Sequence, residues 1–264
     1  MPRVSVIIAV YNAEKVIEAA ISSIACQTFT DWECILCDDG STDNTEQAIR
    51  RAVRNDPRFT LLKNAENCGH AKTRNRCIDS ARGEYIAIQD ADDVSVDSRL
   101  EEQVSFLDDH PNVSVVSAWT EFFGEDGEVW GEIRPPEEPT LRDWAKGSSI
   151  VHAAAMMRKS DLVSIGSYDE RYFRLEDYDL WLRMLAGGFK LVTMPRVLYR
   201  VHWAIGDYSR KKIKDRLSEI LLKFRAFSCL RMPFHYYPYI LKPLFAGMLP
   251  SMVIYRHHVK RFRK

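Results

Sequence analysis

The first hundred residues alternate between strand-like and helix-like segments, and this alternation limits the folds open to the chain. Strand patterns cover residues 4–10, 32–37, 59–62 and 84–89, with helical patterns between them. Repeated β–α units of this kind predict an α/β fold with a mostly parallel sheet flanked by helices. Ligands of such sheets bind at the carboxyl ends of the strands. We therefore expect the functional residues directly after the strands.

The pattern is less regular after residue 110. In chain order, the segments predict a strand at 113–120, a turn at 124–127, a strand at 150–157, a helix at 178–186, short strands at 191–193 and 197–201, and a helix at 209–230. This second half therefore adds further elements to the α/β fold and ends in a helical extension.

Charge is unevenly distributed, although the formal net charge of the 264 residues is zero. Residues 196–264 hold 16 basic and 3 acidic side chains, and the first 195 residues hold 21 basic and 34 acidic ones. A basic end on an acidic body predicts that the end meets an anionic partner. The acidic body opposes nucleic-acid binding, so we expect no nucleic-acid partner.

Cysteine usage and the start of the chain favour a cytoplasmic protein. No signal peptide is recognised before the first strand, so the six cysteines are expected to be reduced thiols. Cys34 and Cys37 form a single CxxC inside a strand pattern, which argues against a zinc or redox site. The longest uncharged run of the C-terminal extension, 243–255, has 13 residues, fewer than the roughly 20 needed to span a bilayer.

Three carboxylates follow the fourth predicted strand, at Asp90, Asp92 and Asp93. Carboxylates this close repel one another unless a cation neutralises them. Mg²⁺ or Mn²⁺ takes oxygen ligands and can in turn hold phosphate oxygens. The alternative is a solvated acidic loop whose aspartates cap a helix.

Other strand ends carry groups suited to a nucleotide. Asp39 follows the second strand, where a buried carboxylate can discriminate between bases, and Tyr11 follows the first, where it can stack on a base. The alternatives are a capping aspartate and a core tyrosine. Lys72 and Arg74 lie near the start of the third helix and could meet a phosphate, or could be solvated. No glycine-rich phosphate loop of the GxGxxG or GxxxxGK[ST] type occurs.

Together these segments resemble glycosyltransferase family 2, whose members have the GT-A fold. The resemblance covers roughly residues 3–205 and rests on motifs in a fixed order. They are VSVIIAVYN at 4–12, DDGSTD at 38–43, ARGEY at 81–85, DADD at 90–93, IGSYDE at 165–170, EDYDLWLR at 176–183 and YRVH at 199–202.

The resemblance implies roles for particular residues. The groups that would bind a nucleoside diphospho-sugar are Ala9, Tyr11, Glu14, Asp39, Lys72, Arg74 and Asp92. The groups that would hold Mg²⁺ or Mn²⁺ are Asp90, Asp92, Asp93 and His202. Asp177 would be the general base, with Glu176 as the alternative. His152 falls in a segment similar to the acceptor side of the family, and the alternative is a structural histidine.

A carboxylate at position 177 suits the implied chemistry. A sugar hydroxyl is a poor nucleophile, and a base opposite the departing diphosphate can remove its proton as the new bond forms. Such a single displacement inverts the anomeric centre. Glu176 and Asp177 can also serve as first-turn carboxylates of the predicted helix, and the two roles are compatible.

The expected activity is therefore metal-dependent, inverting transfer of one sugar from a UDP-sugar to a glycan or lipid-linked hydroxyl in cell-surface polysaccharide synthesis. Processive relatives carry Gln-x-x-Arg-Trp after the base, whereas this chain has Trp181-Leu182-Arg183. The alternatives are transfer to a polyprenyl phosphate and, in another class, non-catalytic binding of a sugar nucleotide.

The chain divides by expectation into three parts: a nucleotide-sugar-binding half (1–110), an acceptor-binding and catalytic half of the same domain (111–208) and a basic, aromatic extension (209–264). Residues 211–264 hold 13 basic and 2 acidic side chains among many aromatic ones. This composition predicts docking on an anionic membrane surface, on its cytoplasmic face. The alternative is that the helix at 209–230 packs on the domain.

Overall fold

A computed structural model describes residues 1–124, 126–172, 174–203 and 213–243, together with residue 262. Its elements are, in chain order, β1 (Val4–Val10), α1 (Ile17–Ala25), β2 (Trp32–Asp38), α2 (Thr45–Val53), β3 (Phe59–Lys63), α3 (His70–Ser80), β4 (Tyr85–Ile88), β5 (Val94–Ser95), α4 (Arg99–Asp109), β6 (Val113–Phe123), β7 (Val129–Ile133), α5 (Leu141–Lys146), β8 (Met156–Arg158), α6 (Lys159–Ser164), α7 (Glu176–Ala186), β9 (Lys190–His202), α8 (Ile213–Cys229) and a 3₁₀ helix (Phe234–Leu241).

The strands of the described residues form one sheet in the order β3-β2-β1-β4-β8-β6-β9-β5, with β7 added to β6. The four strands predicted from the first hundred residues pair in parallel. Beyond β4 the pairing is mixed, because β8 runs antiparallel to both β4 and β6 while β6 and β9 are parallel. The α/β fold is confirmed, and its antiparallel pairs all come from β4 onwards. The sheet is continuous across residue 110, and the three-part division stays a prediction.

Strand β1 is covered on both faces, which explains its nearly continuous apolar sequence. Val4, Val6, Ile8 and Val10 pack in one core with α1, α2 and α4. Ile7 packs in the other core with α3 and α7. The sheet therefore holds the carboxyl end of β1 rigidly between two helical layers.

The CxxC of β2 is divided between these cores. Cys34 lies in the core of α1, and Cys37 lies in the core of α3. Side chains three positions apart on a strand point to opposite faces, because successive side chains alternate. These two thiols therefore cannot ligate one metal ion.

Two predictions for the second half need correction, and one helix of the first half was missed. Of the strand predicted at 150–157, only residues 156 and 157 pair, in β8 (Met156–Arg158), because the apolar residues before them are buried without being in a strand. The short strands predicted at 191–193 and 197–201 are one strand, β9, whose register against β6 shifts along its length. Helix α4 was not predicted, although Leu100, Val104 and Leu107 form its buried stripe.

The described part of the C-terminal extension packs on the domain, which is the alternative given above for the helix at 209–230. Helix α8 contacts α7, and the 3₁₀ helix contacts α5. Phe227, Met232 and Ile240 form a small core there with Ala145 of α5. The predicted start of the helix at residue 209 lies outside the described residues. None of the helices in the described ranges is long and apolar enough to cross a membrane.

Candidate active site

A cavity of about 590 Å³ lies where β1 and β4 end and where α3 and α7 begin. This is the edge of the sheet at which the sequence predicts ligands. Seven of the predicted site residues line it: Ala9, Tyr11, Arg74, Asp90, Asp92, Glu176 and Asp177. Tyr11 is 43% exposed, so it is a cavity residue and not a core tyrosine.

Asp39 does not line this cavity. It is buried, and its carboxylate accepts hydrogen bonds from the backbone N–H of Cys68 and of Gly69, both at 2.9 Å, and from the amide of Asn64 at 2.7 Å. These bonds hold the loop that leads into α3, and so they position His70 at the cavity. Recognition of a base by Asp39 stays a prediction.

Glu14 and Lys72 also lie outside the lining of the cavity. The Glu14 carboxylate accepts the backbone N–H of Asn44 at 2.8 Å and so ties the loop after β1 to the start of α2. Lys72 is exposed on α3. Their predicted contacts with the donor are not tested by this arrangement.

The three acidic residues after β4 have different environments. Asp92 is exposed at the cavity, and Asp90 pairs with Arg74 at 3.1 Å. Asp93 is buried and accepts the backbone N–H of His202 at 2.8 Å. Burial, with the neighbouring charges of Asp90 and Asp92, raises the pKa of Asp93 to about 8. The acidic run is therefore not a simple solvated loop.

A divalent ion fits this arrangement through Asp92 in particular. No three His, Cys, Asp or Glu side chains of the described ranges form a ready-made metal-binding group. Mg²⁺ nevertheless commonly takes one or two carboxylates and completes its shell with water and substrate phosphates. Asp93 accepts the His202 backbone N–H, and the ring centroids of His202 and Phe123 lie 5.3 Å apart. The roles of Asp93 and His202 as metal ligands stay predictions.

Arg74 joins two of the acidic segments at the cavity. Its guanidinium donates to Glu176 at 2.9 Å and to Asp90 at 3.1 Å, and Arg74 is only 7% exposed. These carboxylates outweigh the burial of the guanidinium and raise its pKa above the usual range. Glu176 is therefore committed to a buried ion pair, whereas Asp177 is partly exposed and lines the cavity. This difference favours Asp177 over Glu176 as a base.

Asp177 combines a helix-start position with a cavity position. Its carboxylate accepts the backbone N–H of Tyr178 at 2.7 Å, and Leu175 is the N-cap without a side-chain cap bond. A carboxylate in the first turn is favoured by the helix dipole. Both roles anticipated for this residue are thus geometrically compatible.

Three further ionisable residues line the cavity. His70 and Arg174 were missed by sequence reasoning, although His70 lies two positions before Lys72 and Arg174 lies three positions before Asp177. His152 was considered for the acceptor side or as a structural histidine. Its Nε2 lies 2.7 Å from the hydroxyl of Tyr168, and its ring packs against Trp181.

Replacing His152 by Gln should make the stability of the protein less sensitive to acid. Although the ring borders the cavity, burial and then the charge of Arg74 lower the pKa of His152 to about 3. An unfolded histidine titrates near pH 6.5, so below that pH only the unfolded state gains the proton, and stability falls as pH falls toward 3. Between about pH 7 and pH 5.5 this costs the wild type about 1 kcal/mol.

Urea unfolding at these two pH values measures the difference. His152→Gln should lose about 1 kcal/mol less than the wild type on acidification. The matched control is His110→Gln, at an exposed histidine. Equal acid sensitivity of the wild type and His152→Gln would contradict the assignment.

The comparisons with known proteins agree with this geometry. The family model described as Glycosyl transferase family 2 matches residues 5–166. The putative glycosyltransferase EpsE of Bacillus subtilis (strain 168) is 37% identical over 263 residues, which cover 98% of this chain and 94% of that protein. The Escherichia coli UDP-Glc:alpha-D-GlcNAc-diphosphoundecaprenol beta-1,3-glucosyltransferase WfaP is 31% identical over 83% of this chain and 84% of its own length.

Solved structures share the fold at lower identity. S. aureus TarS 1-349 in complex with UDP superposes with a TM-score of 0.71 at 21% identity, over 92% of this chain and 71% of that one. The mannosyltransferase PcManGT from Pyrobaculum calidifontis, in complex with GDP-Man and Mn²⁺, gives 0.61 at 20% identity, over 98% and 80%. With the GT-A fold confirmed and the family match spanning more than half of its length, the chain belongs to glycosyltransferase family 2.

Proposed function

We propose that this glycosyltransferase moves one sugar from a UDP-sugar to a hydroxyl of a glycan or lipid-linked acceptor, with inversion at the anomeric carbon. The observation that carries the proposal is the meeting of Asp92, from the end of β4, and Asp177, from the start of α7, in one cavity. Asp92, from the first half of the sequence, is thereby available to the diphosphate, and Asp177, from the second half, is available to the acceptor. Tyr11, exposed in the same cavity, can stack on the base.

Asp177 would remove the proton of the acceptor hydroxyl. As the hydroxyl oxygen bonds to the anomeric carbon, the bond from that carbon to the diphosphate oxygen breaks, and its electron pair leaves with the diphosphate. The proton stays on the Asp177 carboxylate until solvent takes it. A general base typically accelerates such a step by about 10²–10⁴-fold.

Asp92 would hold the divalent ion. When bound, that ion would neutralise the charge that builds on the leaving diphosphate, which is mainly a transition-state effect. Behind Asp92, the buried Asp93 fixes the end of β9 through the His202 backbone, and Arg74 neutralises Asp90. These contacts keep the other two acidic side chains of the run in place around Asp92.

Asp92→Asn should weaken UDP binding by about tenfold or more in the presence of Mn²⁺, because the ion then loses its exposed carboxylate. Chelation with EDTA should weaken binding to the wild type similarly. Calorimetry of UDP binding measures both effects. Asp97→Asn, at an exposed aspartate five positions later, is the matched control. Unchanged affinity in Asp92→Asn, or equal affinity with Mn²⁺ and EDTA, would contradict the metal assignment.

The donor is tested by thermal-shift and hydrolysis assays with UDP-, GDP- and dTDP-sugars, each with and without Mn²⁺. UDP is favoured because the name of WfaP specifies UDP-Glc and a TarS structure holds UDP-GlcNAc, whereas the mannosyltransferase binds GDP-Man. We expect the largest stabilisation from a UDP-sugar. Stabilisation by GDP- or dTDP-sugars alone would contradict the choice of UDP as the donor nucleotide. Binding of a sugar nucleotide without any turnover would favour a non-catalytic protein.

A lipid-linked acceptor in cell-surface polysaccharide synthesis is part of the same proposal. The printed name of WfaP specifies a diphosphoundecaprenol-linked acceptor, and TuaG of Bacillus subtilis is named as a putative teichuronic acid biosynthesis glycosyltransferase. An acceptor of that kind lies in a membrane, which suits the basic C-terminal extension. We therefore propose that the enzyme acts at the cytoplasmic face of a membrane.

A further inference from the structure

Helix α8 carries apolar residues on two faces. One face packs on the domain through the buried Leu222 and Phe227. On the other face, Leu217, Leu221 and Phe224 are 50%, 61% and 55% exposed. Their spacing of four and three residues places them on one side of the helix. A surface helix normally presents polar side chains on its outward face, so this face needs an explanation.

The apolar surface continues from α8 onto the 3₁₀ helix. The ring centroid of Tyr237 lies 6.2 Å from that of Phe224 and 5.6 Å from that of Phe234. Phe234 is 89% exposed. We call the surface made by Leu217, Leu221, Phe224, Phe234 and Tyr237 the outer face. Single exposed apolar side chains are ordinary, but a contiguous group of them marks an interaction site.

The charges around the outer face are basic. Arg225, four positions after Leu221 on α8, and Arg231, three positions before Phe234, are exposed. Glu219 is the one acidic residue between positions 216 and 243, and it pairs with the buried Lys223 at 3.2 Å. An apolar surface bordered by arginines and tyrosines suits the boundary between acyl chains and anionic headgroups. Charge complementarity therefore selects an anionic lipid surface as the partner.

We propose that the outer face rests on an anionic bilayer, with α8 lying in the plane of the headgroups while its opposite face stays packed on α7. The inference deepens the proposed function, on which its purpose rests, because it brings the cavity to a membrane that would hold a lipid-linked acceptor. It also combines the docking predicted for residues 211–264 with the alternative, in which the helix packs on the domain. Removing α8 would expose the core around Leu222 and Phe227, so point substitutions are the sound test.

The experiment is flotation of the full chain with vesicles of phosphatidylglycerol and phosphatidylcholine, or of phosphatidylcholine alone. The wild type should float with the anionic vesicles at low salt. Leu221→Gln/Phe224→Gln should lower the partition coefficient at least about tenfold. The matched control is Val163→Gln on α6, where the valine is 51% exposed but outside the outer face.

A second pair of variants tests the charges. Arg225→Gln/Arg231→Gln should lower partition into anionic vesicles about thirtyfold at low salt and much less at high salt, because salt screens exposed charges. The control with the same change in charge is Arg51→Gln/Arg54→Gln, at exposed arginines of α2 and its C-terminal cap. It should behave as the wild type.

Several results would overturn the proposal. The wild type could stay in solution with every vesicle, or Leu221→Gln/Phe224→Gln could float as well as Val163→Gln. Light scattering adds a third: if the apolar pair turns a dimer into a monomer and leaves flotation unchanged, the outer face binds a second copy of the chain. Calorimetry of UDP binding by the same proteins separates the two proposals, since floating without any UDP binding would contradict the proposed function and retain the docking surface.

Discussion

Replacing Asp177 by Asn is expected to lower the rate of sugar transfer by about 10²–10⁴-fold, the usual contribution of a general base. The amide keeps the shape of the side chain, and its oxygen can still accept the Tyr178 N–H that Asp177 accepts at 2.7 Å. The start of α7 should therefore be preserved. UDP affinity should change little, because none of the predicted donor contacts comes from α7. Steady-state transfer kinetics and UDP calorimetry measure the two effects.

Asp169→Asn is the matched control, because Asp169 precedes α7 and pairs with the exposed Arg171 outside the cavity lining. It should transfer sugar at nearly the wild-type rate. If Asp177→Asn does the same with a hydroxyl acceptor, Asp177 is only a helix-start residue, and Glu176→Gln becomes the next variant. If full activity persists only with a polyprenyl phosphate, the acceptor is already an anion and needs no base.

Replacing Arg74 by Met is expected to lower the free energy of unfolding by about 3–5 kcal/mol. The guanidinium is buried between Glu176 and Asp90, so its removal leaves the nearly buried Glu176 carboxylate without its positive partner. Asp90 is more exposed and can be solvated. Most of the loss should therefore come from Glu176. Urea denaturation followed by circular dichroism measures it.

A double-mutant cycle supplies the control. Adding Glu176→Gln to Arg74→Met removes the unpaired charge and should recover a substantial part of the stability. Arg171→Met, which breaks the exposed pair with Asp169, should change the free energy of unfolding little, because solvent screens that pair. A similarly small cost for Arg74→Met would mean that water reaches Glu176 and that Arg74 does not hold the start of α7.

The sequence predicted the edge of the sheet where the site lies, and it did so through local rules. Tyr11 and Asp92 follow strands whose apolar patterns can be recognised in the sequence. The parallel pairing of β1 with β4 brings the ends of those strands together. Asp39 and Asp93 follow strands in the same way, yet both are buried and bond to backbone N–H groups. Nothing in a strand-end pattern separates a carboxylate that faces a cavity from one that holds a neighbouring loop.

By itself, the sequence determined the α/β class, the first four strands and the helix that begins beside Asp177, because strand and helix periodicities are properties of neighbouring residues. Only the tertiary structure decided that Arg74 neutralises Glu176, 102 positions away, while the neighbouring Asp177 lines the cavity. It also decided which apolar face of α8 is covered by α7 and which remains outward. Both outcomes depend on packing between distant segments, which fixes the dielectric surroundings of a charge and the exposure of an apolar side chain.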